Sequence, residues 1–161
     1  MAAIGCRQNL QEIRMLRYLG FSLLLLSAMQ VQAEMLDLSP YKGKVVYLDF
    51  WASWCSPCLA SFPWMNQLQK DLHSRGLEIV AVNVDADQAD ARKFLQQHPV
   101  NFEIIFDPQG KLAESHNVMG MPSSFLFDRN GKLIFSHIGF SNKKSEQLRA
   151  TVEAALQRSV N

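Results

Sequence analysis

Apolar and polar positions divide the chain from residue 45 onward into short apolar runs and longer amphipathic stretches. The run 45–51 (VVYLDFW) is apolar except at Asp49 and rich in β-branched and aromatic residues, so it predicts a buried strand. Leu59, Phe62, Met65, Leu68 and Leu72 then recur at helical spacing and predict a helix over 56–74, stopped by Gly76. A second buried strand follows over 77–84 (LEIVAVNV). Asp87 is an N-cap for a helix over 88–97, which His98-Pro99 ends. A short strand at 103–106 is closed by the turn Asp107-Pro108-Gln109-Gly110, and a short helix near 111–116 comes next. Strands at 123–127 and 133–138 are joined by Asp128-Arg129-Asn130-Gly131, a strong hairpin signal. A last helix starts at Ser141 or Ser145 and carries Leu148, Val152, Ala155 and Leu156 on one face. The order βαβαβ, then a hairpin and a helix, describes an α/β domain with a mixed sheet. Residues 34–44 read as an irregular lead-in, with Pro40 and Gly43 as breakers.

The pattern changes before residue 34. Arg14 and Arg17 precede an apolar stretch, 19–29, and Val31-Gln32-Ala33 follows it. A charged start, a short apolar core and a small-residue cleavage site make a secretory signal peptide, cleaved after Ala33. Met15 makes a tidier start than Met1. The apolar stretch falls short of the roughly 20 residues a comfortable membrane span needs; an uncleaved anchor is the alternative. Residues 1–33 are thus read as a leader to a periplasmic or otherwise exported protein, and 34–161 as one domain. Over 34–161, Lys plus Arg falls from 16 to 13 and Asp plus Glu from 15 to 14, a net charge of about −1. This balance points to neither nucleic acid nor anionic membrane as a partner. No dimerisation segment stands out, so a monomer is expected.

The chemistry sits at Trp54-Cys55-Ser56-Pro57-Cys58, between the first strand and its helix. One thiolate of such a pair attacks a partner's disulfide, and the second resolves the mixed disulfide from within the same chain. Helix N-termini favour a thiolate through unpaired N–H groups and the macrodipole. The chain's third cysteine, Cys6, leaves with the leader, so no spare thiol remains to scramble the exchange. A zinc site needs four ligands; there is no second CxxC, and His73, His98, His116 and His137 are scattered. No metal and no bound cofactor are expected, the Cys55–Cys58 pair being the redox group itself. A purely structural bridge is a weak alternative, because a loop this short stabilises little. Asp49 interrupts an apolar strand six residues before Cys55; burial there raises a carboxyl pKa and makes it a candidate proton acceptor.

These residues resemble the thioredoxin superfamily, and most closely its exported TlpA/ResA/DsbE-type branch. The match spans about 38–156. It is carried by Asp49-Phe50-Trp51-Ala52-Ser53-Trp54-Cys55-Ser56-Pro57-Cys58, by Asn83-Val84-Asp85, by Gly120-Met121-Pro122-Ser123-Ser124-Phe125-Leu126-Phe127-Asp128, and by Gly139. The resemblance implies a thioredoxin-like α/β fold, a central mixed β-sheet flanked by helices, with the helix and strand over 88–106 as a TlpA-type insert. It implies Cys55 as nucleophile, Cys58 as resolving thiol and Asp49 as the buried carboxylate that assists Cys58. It also implies a cis Met121-Pro122 bond facing the disulfide, where the Met121 backbone meets an extended peptide. Trp54, Ser56, Pro57, Met121 and Pro122 are the expected substrate contacts. Phe140 and Trp51 are further candidates for an apolar rim, although Trp51 reads better as core. Asp85 is expected to cap the following loop or helix. Trp64 and Pro63 read as structural, with Pro63 kinking the helix.

Two departures refine the expectation. The position near the carboxylate where thioredoxins carry a lysine is Ala81 here, which favours the neutral form of Asp49 further. Branch members serving cytochrome c maturation often carry a glutamate three residues after the second cysteine; this chain has Ser61, which weakens that substrate assignment. Ser56-Pro57 contains no histidine, so the thiolate is only modestly stabilised and the potential lies nearer thioredoxin's roughly −270 mV than DsbA's roughly −120 mV. The expectation is a reductant of protein disulfides, fed by a membrane thiol transporter of the DsbD/CcdA kind. An oxidase or isomerase, and a non-catalytic binding module, are the alternatives.

Overall fold

The computed structural model describes residues 35–158; the leader, its cleavage after Ala33 and the start at Met15 lie outside the described residues. Among the described residues, five strands form one sheet in the order β3-β2-β1-β4-β5. These are β1 (Val45–Trp51), β2 (Leu77–Asn83), β3 (Glu103–Phe106), β4 (Ser123–Phe127) and β5 (Leu133–Ile138). β1, β2 and β3 run parallel, while β4 and β5 are antiparallel to their neighbours. The helices are α1 (Ser56–Leu72), α2 (Gln88–Gln97), α3 (Lys111–Ser115) and α4 (Asn142–Gln157). α2 and β3, the pair read as an insert, extend the sheet beyond β2.

The central strand is buried along its whole length, which is why its sequence shows no alternation. Its side chains nonetheless alternate between two packed faces. Val45, Tyr47 and Trp51 join the core that contains Cys58, Phe62, Met65 and Leu68 of α1 and Val152, Ala155 and Leu156 of α4. Val46, Leu48 and Phe50 join the opposite core with Val80, Val82 and Phe127. Each such apolar side chain contributes roughly 1.5–3 kcal/mol by leaving water. Trp51, Phe62 and Phe94 add mutual ring contacts with centroids 4.8–5.1 Å apart, which fixes Trp51 as core, fully shielded from solvent.

The boundaries differ little from the sequence reading. α1 ends at Leu72 rather than 74, because the chain tightens into a 3₁₀ turn over His73–Arg75 that Gly76 closes at φ 98°. Pro63 sits inside α1, which continues past it to Leu72. Ser39–Tyr41 forms a 3₁₀ turn within the expected irregular lead-in, Pro40 being preset for a first helical turn. Asp87 caps α2, accepting the Ala89 N–H at 2.8 Å. No helix among the described residues is long and apolar enough to cross a membrane.

Candidate active site

Cys55 is the N-cap of α1 and is joined by a disulfide to Cys58, with Cα atoms 5.3 Å apart. The Cys58 N–H also points at the Cys55 sulfur, at 3.3 Å. A sulfur that receives a backbone N–H at a helix N-terminus is one whose anionic form is favoured. The two sulfurs differ in access. Cys58 has no exposed surface, whereas Cys55 keeps 5 % and lines a groove of about 530 Å³. That groove is bordered by Trp54, Ser56 and Pro57 on one side and by Val118, Met119, Gly120 and Met121 on the other. Its walls are apolar, and two large side chains stand out into solvent there, Trp54 at 70 % and Met119 at 86 % exposure. The Met121–Pro122 peptide bond is cis, and Pro122 leads directly into β4.

Asp49 lies on the α1 face of β1, between Tyr47 and Trp51, and is fully buried. Its Oδ1 accepts the Ser124 hydroxyl at 2.5 Å, and its Oδ2 has no hydrogen-bond partner. Burial pushes its pKa up to about 7, with the Ser124 hydrogen bond acting in the opposite direction. Its neighbour on β2 is Ala81, so no cation offsets the loss of solvent. Ser61 is also buried, and its hydroxyl donates to the Cys58 carbonyl at 2.9 Å, as an ordinary helix back-bond.

Five residues correct or extend the sequence reading. Phe140 is not part of the rim: its ring packs on Trp64, 5.4 Å between centroids, and it lines a separate recess between β5 and α4. Asp85 is not a cap. It is buried at the end of β2, where its carboxylate accepts the Ser53 N–H, the Ser53 hydroxyl and the Asn83 side-chain amide. It therefore holds the loop that carries Trp54 and Cys55. Val118, Met119 and Gly120 form half the groove and carried no periodic signal; Met119, a large apolar residue just ahead of Gly120-Met121-Pro122, was the available clue. The other expected contacts, Trp54, Ser56, Pro57 and Met121, all line the groove.

A cysteine pair at the N-terminus of the first helix, its first sulfur lining a groove and its second fully enclosed, on a mixed sheet of this order, defines a thioredoxin-fold thiol–disulfide oxidoreductase. A family model described as Redoxin matches residues 10–156. The chain is 31 % identical over 128 residues to thiol-disulfide oxidoreductase ResA of Bacillus thuringiensis subsp. konkukian, covering 80 % of this chain and 70 % of that protein. It is 37 % identical over 99 residues to ResA of Bacillus subtilis, covering 62 % and 55 % respectively. Among solved structures, a proposed thiol:disulfide interchange protein DsbE from Chlorobium tepidum is 52 % identical with a TM-score of 0.73, over 75 % of this chain and 86 % of that one. The chain belongs to the redoxin family, as a ResA/DsbE-like member of the thioredoxin superfamily.

Proposed function

We propose that this protein is an exported reductant of protein disulfides. The observation that carries the reading is the unequal access of the two sulfurs, with Cys55 open to an apolar groove and Cys58 closed off beneath α1. In the reduced protein the Cys55 thiolate attacks one sulfur of a partner disulfide. A mixed disulfide forms and the partner's other sulfur leaves as a thiolate. Asp49 takes the proton of the Cys58 thiol, and the Cys58 thiolate then attacks the Cys55 sulfur. The second partner sulfur is released, and Cys55–Cys58 is left oxidised. Two electrons have passed to the partner, and the internal disulfide is the redox group; no bound cofactor takes part.

An extended segment of the partner lies between Trp54 and Met121, with Ser56, Pro57 and Pro122 completing its contacts. The apolar walls suit an unfolded or extended peptide, and the Met121 backbone is available for β-addition. The uncharged Ser56-Pro57 pair supports a reducing or intermediate potential. A reductant outside the cytosol needs electrons, and a membrane thiol transporter of the DsbD/CcdA kind is the donor class this reading requires. The likeness to ResA and DsbE, together with the leader read from the sequence, supports export to the periplasm. The protein acts as a monomer in this scheme. Apocytochrome c is a substrate candidate that Ser61 argues against.

Cys58→Ser tests the reading. It should accumulate mixed disulfides with partner proteins through Cys55, while Cys55→Ser should trap none. If Cys58→Ser traps nothing in an oxidising extract, the reductase scheme fails. A reduction potential near −120 mV rather than near −270 mV would turn the direction of electron flow towards oxidation.

A further inference from the structure

Ser124 is out of character for its position. It sits in the interior of β4 and is buried, where an apolar β-branched residue would pack better. In the β1–β4 ladder Ser124 is the direct partner of Asp49, and directly opposed residues project from the same face of a sheet. That face is the one covered by α1 and Cys58. The Ser124 hydroxyl donates to Asp49 Oδ1. A serine hydroxyl has one proton, and here it is committed to Asp49.

We propose that Ser124 is the positioning residue of the proton-transfer step: it holds Asp49 Oδ1 and leaves Oδ2 as the oxygen that takes the Cys58 proton. This rests on the reading of Asp49 as the proton acceptor. Oδ2 is buried without a partner, on the face that carries Cys58. In the step, the Cys58 S–H bond breaks, an O–H bond forms at Oδ2, and the electron pair left on Cys58 attacks the Cys55 sulfur, breaking its bond to the partner and expelling the partner's sulfur as a thiolate. Ser124 continues to donate to Oδ1 before and after the transfer, so this contact need not rearrange. The same donor favours the carboxylate form over the neutral acid, in a site where burial works against it. Without Ser124, a smaller share of Asp49 would be ionised and able to accept a proton at neutral pH.

The test reads the Asp49 carboxyl directly, by carbon-13 titration of the full protein, beside the pH profile of product-thiol release in single turnover. Ser124→Ala should raise both midpoints by about one pH unit and slow release about fivefold at pH 7. Ser124→Thr, which keeps the hydroxyl, should titrate like the wild type. Ser124→Val is the isosteric partner of that variant and should behave like Ser124→Ala, which keeps the comparison open if the alanine variant folds poorly. In an Asp49→Asn background Ser124→Ala should slow release no further. Unmoved midpoints in a folded Ser124→Val protein, or equal shifts for threonine and valine, overturn the proposal. An Asp49→Asn protein that releases thiol at the wild-type rate overturns instead the role of Asp49. A slow Asp49→Asn protein with unmoved Ser124 variants removes only the role of Ser124.

Discussion

The carboxylate of Asp85 receives the backbone N–H of Ser53 at 3.0 Å and its hydroxyl at 3.2 Å, binding the end of β2 to the loop that presents the cysteines. The Asn83 side-chain amide completes the set at 2.8 Å, and the Asn83 carbonyl oxygen of the same side chain accepts the Asp85 N–H. Removing the carboxylate leaves buried donors without an acceptor, at roughly 1–3 kcal/mol. Asp85→Ala should lose about 2 kcal/mol in urea unfolding, and the Ser53 and Cys55 amides should exchange faster with solvent. A loss under about 0.5 kcal/mol, typical of an unremarkable surface change, would show that the tie does not hold the loop.

Asp49 makes stability depend on pH. Its folded pKa, about 7, lies above the ordinary 3.8, so between these values the folded state binds more protons than the unfolded one. Stability is then greatest below the unfolded pKa and is lost as pH rises through the folded pKa. Asp49→Asn removes that loss and keeps an oxygen for Ser124. The variant should be the more stable protein at pH 8, by on the order of 4 kcal/mol, and the gap should shrink towards pH 4. Urea midpoints across that range decide it; a gap that does not vary with pH contradicts the burial of a titrating carboxyl.

Both results turn on polar residues in apolar surroundings, and these divide what the sequence reveals from what it hides. The strands and helices were legible because apolar spacing alone selects them. β1 could be read as buried on both faces because VVYLDFW lacks alternation. Asp49 was legible as an interruption of that run. Ser124 was not, since a serine in a strand carries no signal until the partner strand brings it opposite a carboxylate. Asp85 misled for the same reason: an acid ahead of a helix reads as a cap, and only the parallel pairing of β1 with β2 brings it to Ser53. Phe140 is apolar and reads as a rim candidate, whereas Trp64 on α1 takes its ring at 5.4 Å between centroids.

Arg129, in the β4–β5 hairpin, gives a prediction far from the cysteines. Its guanidinium donates to the carbonyls of Gly43, Arg75 and Leu156 at 2.8, 3.1 and 3.2 Å. It thereby fastens the start of β1, the end of α1 and the end of α4 to one point. Arg129→Met should cost about 1–3 kcal/mol and leave thiol–disulfide exchange unchanged. Gly76 lies against this group: a Cβ there would come within 2.7 Å of Arg129 Nη1, at a backbone φ of 98°. Gly76→Ala should therefore destabilise through both strain and displacement, and the double variant should lose less than the two single losses combined. Strict additivity in urea unfolding would show that the two do not interact.

Trp54 exposes its indole beside Cys55 and has few partners of its own to lose. Trp54→Ala should leave folding stability within about 0.5 kcal/mol of the parent. It should lower kcat/KM for a protein disulfide about tenfold, an effect of about 1.4 kcal/mol. Reduction of a small disulfide that does not reach across the groove should be nearly unaffected. Equal losses on both substrates would mean that Trp54 acts on the sulfur chemistry and not on the bound chain.

Met119 stands almost free in solvent at the mouth of the groove. A thioether so placed is the group peroxide reaches first, and its sulfoxide is polar, chiral and unsuited to an apolar contact. Oxidation of Met119 would thus turn one wall of the groove polar without touching either cysteine. Recovery would depend on enzymes that reduce methionine sulfoxide, so peroxide can reach the groove through a residue that takes no part in electron transfer.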